Sequence, residues 1–249
     1  MTLVSSHRPS LKASHKSRSM TAIAPSKISP WLAHCVYFLG RYALLPFYFN
    51  HLEINGQANI PPNGPVILAP THRSRWDALI LAYAAGKLAT GRDLRFMVSS
   101  TEMNRKLQGW FIRRLGGFAV NPKRPSSDSL YHSIDLLCQG EMLTIFPEGN
   151  IYHQRFVESL KRGLATIALQ TQAKLTSETV KIVPISINYS QLYPRFGCDV
   201  RVDIGKAIAV SRYATGKSTK KVSQQLTADL EDALRKLHEP QEIQEYGAY

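Results

Sequence analysis

The sequence predicts an α/β domain with a mostly parallel central sheet flanked by helices, preceded by an apolar helix associated with a membrane. Two observations carry the α/β expectation. Short apolar, strand-like runs such as 66–69, 94–98, 143–146 and 180–187 alternate with helix-like stretches such as 78–85 and 127–139, the spacing of strand–helix–strand units. Turn-forming clusters rich in Gly, Pro and Asn, such as 61–65 and 121–125, separate them. A third observation carries the apolar helix: residues 31–49 are almost wholly apolar and crowded with Trp, Tyr and Phe.

The chain has 249 residues, of which 44% are hydrophobic, enough for one large domain with its own core. Its formal net charge of +13 implies an anionic partner: nucleic acid, an acidic membrane surface or phosphorylated substrates. The three cysteines, Cys35, Cys138 and Cys198, form no pair at metal-ligand or redox spacing, so buried free thiols in a reducing compartment are expected.

Residues 1–29 carry Arg8, Lys12, Lys16, Arg18 and Lys27 among many serines and contain no Asp or Glu. This composition predicts a disordered basic tail that touches anionic lipid, in preference to an organellar transit peptide, and it lacks the apolar core of a secretory signal. Residues 30–50 are near the length of a bilayer span, but Arg41, His34 and Pro46 argue against crossing. An interfacial helix tolerates Arg41 and seats the aromatic rings among headgroups. The α/β domain is assigned to 51–240 and a C-terminal tail to 241–249.

Within the domain, 52–65 reads as a short strand and a tight loop leading into the strand 66–69. That strand runs into Thr71-His72-Arg73-Ser74-Arg75-Trp76-Asp77 and then into the helix 78–85. A His and a carboxylate separated by four residues across such a turn can meet. Asp77 would then fix the tautomer of His72 while the other ring nitrogen takes a proton from a hydroxyl. The strand 94–98 is followed by a basic, aromatic helix at 108–117 and by the turn Asn121-Pro122-Lys123-Arg124-Pro125, which reads equally as a phosphate site or as a solvated loop.

After the amphipathic helix 127–139, an apolar strand stops at Pro147 and presents Glu148 and Gly149 at its end, where parallel sheets place ligands. Gly163 suggests close backbone approach at a helix start that favours an anion. Pro184 within the strand 180–187 predicts an edge or strand-end position. Residues 200–208 alternate as a strand, and 223–237 closes with an amphipathic helix.

Four of these segments, in this order, resemble the motif blocks of the glycerolipid acyltransferases, the 1-acylglycerol-3-phosphate acyltransferases and their relatives. They are His72-Arg73-Ser74 through Asp77, Gly117 to Arg124, Phe146-Pro147-Glu148-Gly149, and Val183-Pro184-Ile185. The resemblance runs from about Leu52 to Tyr213 and implies transfer of a fatty acyl group from a thioester, on coenzyme A or acyl carrier protein, to a glycerolipid hydroxyl. 1-Acylglycerol 3-phosphate is the first acceptor to consider; another lysophospholipid or lipid alcohol is the alternative. The resemblance gives His72 the role of general base and Asp77 that of its orienting partner. It places Glu148 and Gly149 on the acceptor side and sets Lys123 or Arg124 against a phosphate. It implies no metal and no cofactor beyond the acyl donor, which is a substrate. Two positions depart from the pattern. Asn150 and Ile151 stand where phosphatidic-acid-forming members have Thr-Arg, and Pro122 displaces the basic pair of the second block; Arg155 or Lys161 are the candidates to compensate.

A hydrolase using Ser74 is disfavoured because no Gly-x-Ser-x-Gly elbow exists. A nucleic-acid-binding protein is disfavoured because no zinc, homeodomain or RNA-recognition signature accompanies the basic charge. A catalytically silent lipid-binding relative would not need both His72 and Asp77. The expected location is a membrane surface on its cytoplasmic face, organellar if the first residues are a transit peptide.

Overall fold

The computed structural model describes residues 28–121, 126–213 and 219–239. The basic tail up to residue 27, Lys123 and Arg124, and the C-terminal residues from 240 onward therefore lie outside the described residues. Ile28 and Ser29, expected in the tail, are packed: the Ser29 amide donates to the Arg114 carbonyl at 2.9 Å, and the Ile28 side chain lies against Gly116.

The apolar stretch is helical from Pro30 to Tyr48, as α1 (Pro30–Leu39), a π-helical turn (Gly40–Leu44) and α2 (Leu45–Tyr48). Pro30 starts it, where its missing N–H costs nothing. Pro46 lacks the N–H that would meet the carbonyl four residues back, and the wider turn, closed by Leu45 N–H on the Gly40 carbonyl, precedes it. Ala33, Leu45 and Phe49 are buried, whereas Trp31, Phe38, Leu39, Tyr42 and Phe47 face outward. Arg41 turns inward: its guanidinium donates to the Tyr83 carbonyl at 3.3 Å and lies 4.6 Å from the centre of the Tyr83 ring. Among the described residues no helix is long and apolar enough to cross a membrane.

The domain continues with β1 (Leu52–Asn55), β2 (Val66–Pro70), α3 (Asp77–Ala85), α4 (Lys87–Thr90), β3 (Leu94–Ser99), α5 (Ser100–Met103), α6 (Lys106–Arg114) and β4 (Gly117–Val120). There follow α7 (Ser127–Cys138), β5 (Met142–Thr144), α8 (Gly163–Lys174), β6 (Lys181–Tyr189), β7 (Val200–Ile204), β8 (Ile208–Ala209) and α9 (Thr219–His238). The sheet order is β1-β7-β6-β2-β5-β3-β4, with β8 also paired to β6. All pairings are parallel except those of β6 with β7 and β8. The expected mostly parallel sheet is therefore present.

β2 is buried along its whole length, and its alternate residues feed two cores. Ile67 and Ala69 pack under α7, α8 and α9 with Ile134, Leu164 and Leu230; Val66 and Leu68 pack under α2 and α3 with Leu45, Ile80 and Leu81. Helices thus cover both faces, the arrangement that a strand apolar on both sides requires. Ser126 caps α7 by accepting from the Ser129 amide at 3.2 Å, a contact typically worth about 1 kcal/mol.

Three local expectations are corrected. Pro184 lies in an interior strand, between β7 and β2, and is paired in register with Ala69. It is tolerated because the β8 pairing ends at Ile182 and the β7 pairing begins at Ile185, so its missing N–H falls in the gap between them. Gly163 has open space where a Cβ would stand, so no close approach requires it. Only Cys198 is a buried thiol; Cys35 and Cys138 are exposed.

Candidate active site

β2 is flanked in the sheet by β5 and β6, and the three strands end side by side. Their C-terminal ends deliver His72 to Asp77 from the centre, Phe146 to Gly149 from one side and Tyr189 from the other. His72 Nδ1 lies 2.8 Å from Asp77 Oδ2. The same oxygen accepts the Arg73 amide at 2.6 Å and the Ser74 amide at 2.9 Å. Asp77 is buried in the first turn of α3, where the helix dipole favours a carboxylate. Its Oδ1 accepts the Tyr189 hydroxyl at 2.6 Å. Burial first, and then the Asp77 charge, push the Tyr189 phenol far above its ordinary value, so it stays a donor. Because the carboxylate can only accept, Nδ1 of His72 is the ring nitrogen that donates to it. The imidazole stacks on Phe146, centroid to centroid 4.0 Å, and remains partly exposed.

Glu148 is fully buried beneath this loop. Its carboxylate accepts the His72 amide at 2.8 Å, the Glu158 amide at 3.0 Å and the Arg73 guanidinium through contacts of 2.9 to 3.0 Å. Arg73 spends its other donors on the carbonyls of His72 and Phe156 and on His238 Nε2, the last at 3.1 Å. Because Arg73 donates to Nε2, His238 carries its proton on Nδ1 and donates it to Ser186 Oγ at 2.9 Å. Burial, followed by the Arg73 charge, lowers the His238 pKa to about 4.

Two cavities meet at His72, and Met97, Ser99, Glu102, Phe146 and Ile151 also border both. One, about 530 Å³, is predominantly apolar and runs between α1, the π turn, α3, β3 and α6, past Leu79, Phe96, Phe111 and Ile112. The other, about 600 Å³, is bounded by the start of α7, by Pro147, Gly149 and Asn150, and by Lys161 and the start of α8. Val120 and Ser126, on either side of the segment that holds Lys123 and Arg124, border it too. Gly149 has φ +75°, and a Cβ on it would stand 2.5 Å from Lys161 Nζ, so the lysine lies directly over the glycine backbone.

His72 thus stands at the cavity junction, with Asp77 buried behind it, Gly149 on the wall of the second cavity and Glu148 in the layer below. Sequence reasoning passed over Arg73, Tyr189 and His238. A signal existed for His238, which continues the Val222, Leu226, Leu230, Leu234 stripe of α9 at a spacing of four and is therefore a polar group on a buried face.

An oriented imidazole thus stands at the C-terminal ends of parallel strands, at the junction of an apolar and a more polar cavity. The acyltransferase family model matches residues 51–188, and the chain belongs to that acyltransferase family. It is 26% identical to mitochondrial glycerol-3-phosphate acyltransferase 1 of Mus musculus over 271 aligned positions, covering 90% of this chain and 32% of that protein. The chain therefore spans about a third of the length of such mammalian relatives. It is 27% identical to the 1-acyl-sn-glycerol-3-phosphate acyltransferase of Bacillus subtilis, over 50% of this chain and 59% of that one. The crystal structure of the 1-acyl-sn-glycerophosphate acyltransferase PlsC of Thermotoga maritima shares the fold, with a TM-score of 0.55 at 20% identity over 80% of this chain and 78% of that chain.

Proposed function

We propose that the protein is a membrane-associated O-acyltransferase that moves a fatty acyl group from a thioester to a hydroxyl of a glycerol-phosphate acceptor, with 1-acylglycerol 3-phosphate the first candidate. The observation that carries this reading is His72. Its Nδ1 is held by a carboxylate whose oxygens are all engaged, and its Nε2 has no protein partner among the described residues, at the junction of the two cavities. In the reaction, the acceptor hydroxyl loses its proton to Nε2 while its oxygen bonds to the thioester carbonyl. The tetrahedral intermediate then breaks its C–S bond, and the leaving thiolate takes the proton back, giving an ester and a free thiol. A thioester is already activated, so one positioned base suffices, and such a base contributes typically about 100-fold to 10,000-fold.

The apolar cavity suits the acyl chain. Lys161, over Gly149, offers a cation to the acceptor phosphate on the other side, and Lys123 and Arg124 lie on the chain between two residues that border that cavity. The donor, coenzyme A or acyl carrier protein thioester, enters as substrate, and the step uses no further cofactor. The outward aromatic residues of α1 and the π turn seat the enzyme at the interface of a cytoplasmic membrane face.

A specific observation favours glycerol 3-phosphate as a second acceptor: the likeness to a glycerol-3-phosphate acyltransferase extends over 90% of the chain. The test is transfer of labelled acyl groups from acyl-CoA and from acyl carrier protein to 1-acylglycerol 3-phosphate, glycerol 3-phosphate and other lysophospholipids, with His72→Ala alongside. Transfer to one of these acceptors, reduced about 100-fold or more in the variant, is expected. No transfer to any acceptor from either donor refutes the reading.

A further inference from the structure

The described helix α6 has an unusual distribution of residues. Its inward contact is a glycine: Gly109 is buried so closely against α5 that a Cβ would stand 2.0 Å from the Met103 carbonyl oxygen. Its outward face carries Leu107, Trp110 and Phe111, at positions i, i+3 and i+4 of one helical face and 74%, 42% and 38% exposed. Every charged residue of the helix is a cation, namely Lys106, Arg113 and Arg114. The Arg114 guanidinium lies 4.1 Å from the Trp110 ring centre. An apolar face open to solvent and rimmed by positive charge is what an interfacial helix needs and what a helix packed for stability avoids.

The position of α6 gives this face a role. Its C-terminal end is hydrogen-bonded to the start of α1 through Ser29 and Arg114. Gln108, Phe111 and Ile112 form one wall of the apolar cavity that reaches His72, and Val36, Tyr37 and Arg41 form another. Both walls thus belong to helices with exposed aromatic residues, including the Phe38–Tyr42 pair of α1 and the π turn. We propose that α6 is a second membrane-docking helix, inserted beside α1 into the headgroup layer of an anionic bilayer, so that the apolar cavity opens between two seated helices and lipid reaches it from the membrane. A second copy of the chain is a poorer occupant. A two-fold contact would set this cationic rim against its own copy. The proposal rests on the reading that the substrate is a membrane lipid.

The test uses the full chain. Leu107→Glu/Trp110→Glu changes two residues outside the cavity linings, and Lys106→Gln/Arg114→Gln removes two cations, the second together with its contact on the Trp110 ring. Partition onto vesicles of phosphatidylcholine with phosphatidylglycerol is measured by flotation, with Trp31→Glu as the α1 comparison. The apolar double variant is expected to lose roughly 10-fold or more in partition. The charge variant should lose roughly fivefold per cation on anionic vesicles and little on phosphatidylcholine alone. Both should keep the wild-type unfolding midpoint and the wild-type transfer rate between short-chain, water-soluble substrates. Partition of the apolar double variant equal to wild type, while Trp31→Glu is lost, overturns the proposal, as does absence of vesicle binding by the wild type. A wild-type dimer in lipid-free buffer that this variant dissociates also overturns it, making the face a contact between copies. If docking fails while His72-dependent transfer persists in detergent, the proposal falls and the acyltransferase reading stands. If docking through α6 holds and no transfer occurs, the reverse is true.

Discussion

Replacing Glu148 by Gln separates two roles for that residue. Its carboxylate is fully buried and balances Arg73, whose side chain is 5% exposed, at 2.9 Å. The amide that replaces it removes the charge and turns one acceptor into a donor facing the guanidinium. Removing one partner of a buried, hydrogen-bonded ion pair leaves the other charge unpaired and costs about 3 to 5 kcal/mol. For a chain of this size each kcal/mol shifts the unfolding midpoint by about 2 to 4 °C, so Glu148→Gln should lower it by roughly 6 to 20 °C. Arg73→Met should fall in the same range, because the carboxylate is then the orphan. The double variant Arg73→Met/Glu148→Met should recover much of the loss, giving a coupling of roughly 2 kcal/mol or more in a double-mutant cycle. Thermal and urea unfolding followed by circular dichroism measure it, with acyl transfer assayed well below the lowered midpoint. An unchanged midpoint for Glu148→Gln together with abolished transfer refutes this reasoning and puts the carboxylate on the substrate.

Other consequences follow from the same network. Tyr189→Phe removes the 2.6 Å bond to Asp77 and should lower kcat about tenfold with KM nearly constant, measured at saturating acceptor. His238 is held neutral with a pKa near 4, against 6.5 in the unfolded chain. Above pH 6.5 it contributes no slope; as pH falls from 6.5 to 4 the unfolded state takes up a proton that the folded state refuses, so stability drops by roughly 3 kcal/mol. His238→Gln should abolish that part of the pH dependence of urea midpoints. Thiol titration should label Cys35 and Cys138 rapidly in the native protein, with Cys198, buried and with its pKa raised chiefly by desolvation, labelled only on unfolding.

What was legible in the sequence was local. The strand 66–69 announces itself by an unbroken apolar run, which the structure extends to Pro70, and His72 and Asp77 meet because a strand-to-helix turn brings near neighbours together. Glu148 was legible as a strand-end carboxylate, but its partner was not. Arg73 and Glu148 are 75 residues apart, and only the adjacency of β2 and β5 joins them. The Pro184 rule misfired for a related reason. A proline excludes a hydrogen bond at one position on one side, and the sequence does not reveal that two different neighbours stop and start around that position. Tyr189 was hidden because a tyrosine at the end of an apolar strand reads as packing until the carboxylate facing it is known.

The contact between Arg73 and His238 joins residues 165 positions apart. On a ribosome, the chain acquires its imidazole and carboxylate early and the last support of the arginine beneath them late, when the final turn of α9 emerges. Order of synthesis therefore sets the order of assembly: the hydrogen bonds around Arg73 are complete only once residue 238 has been made.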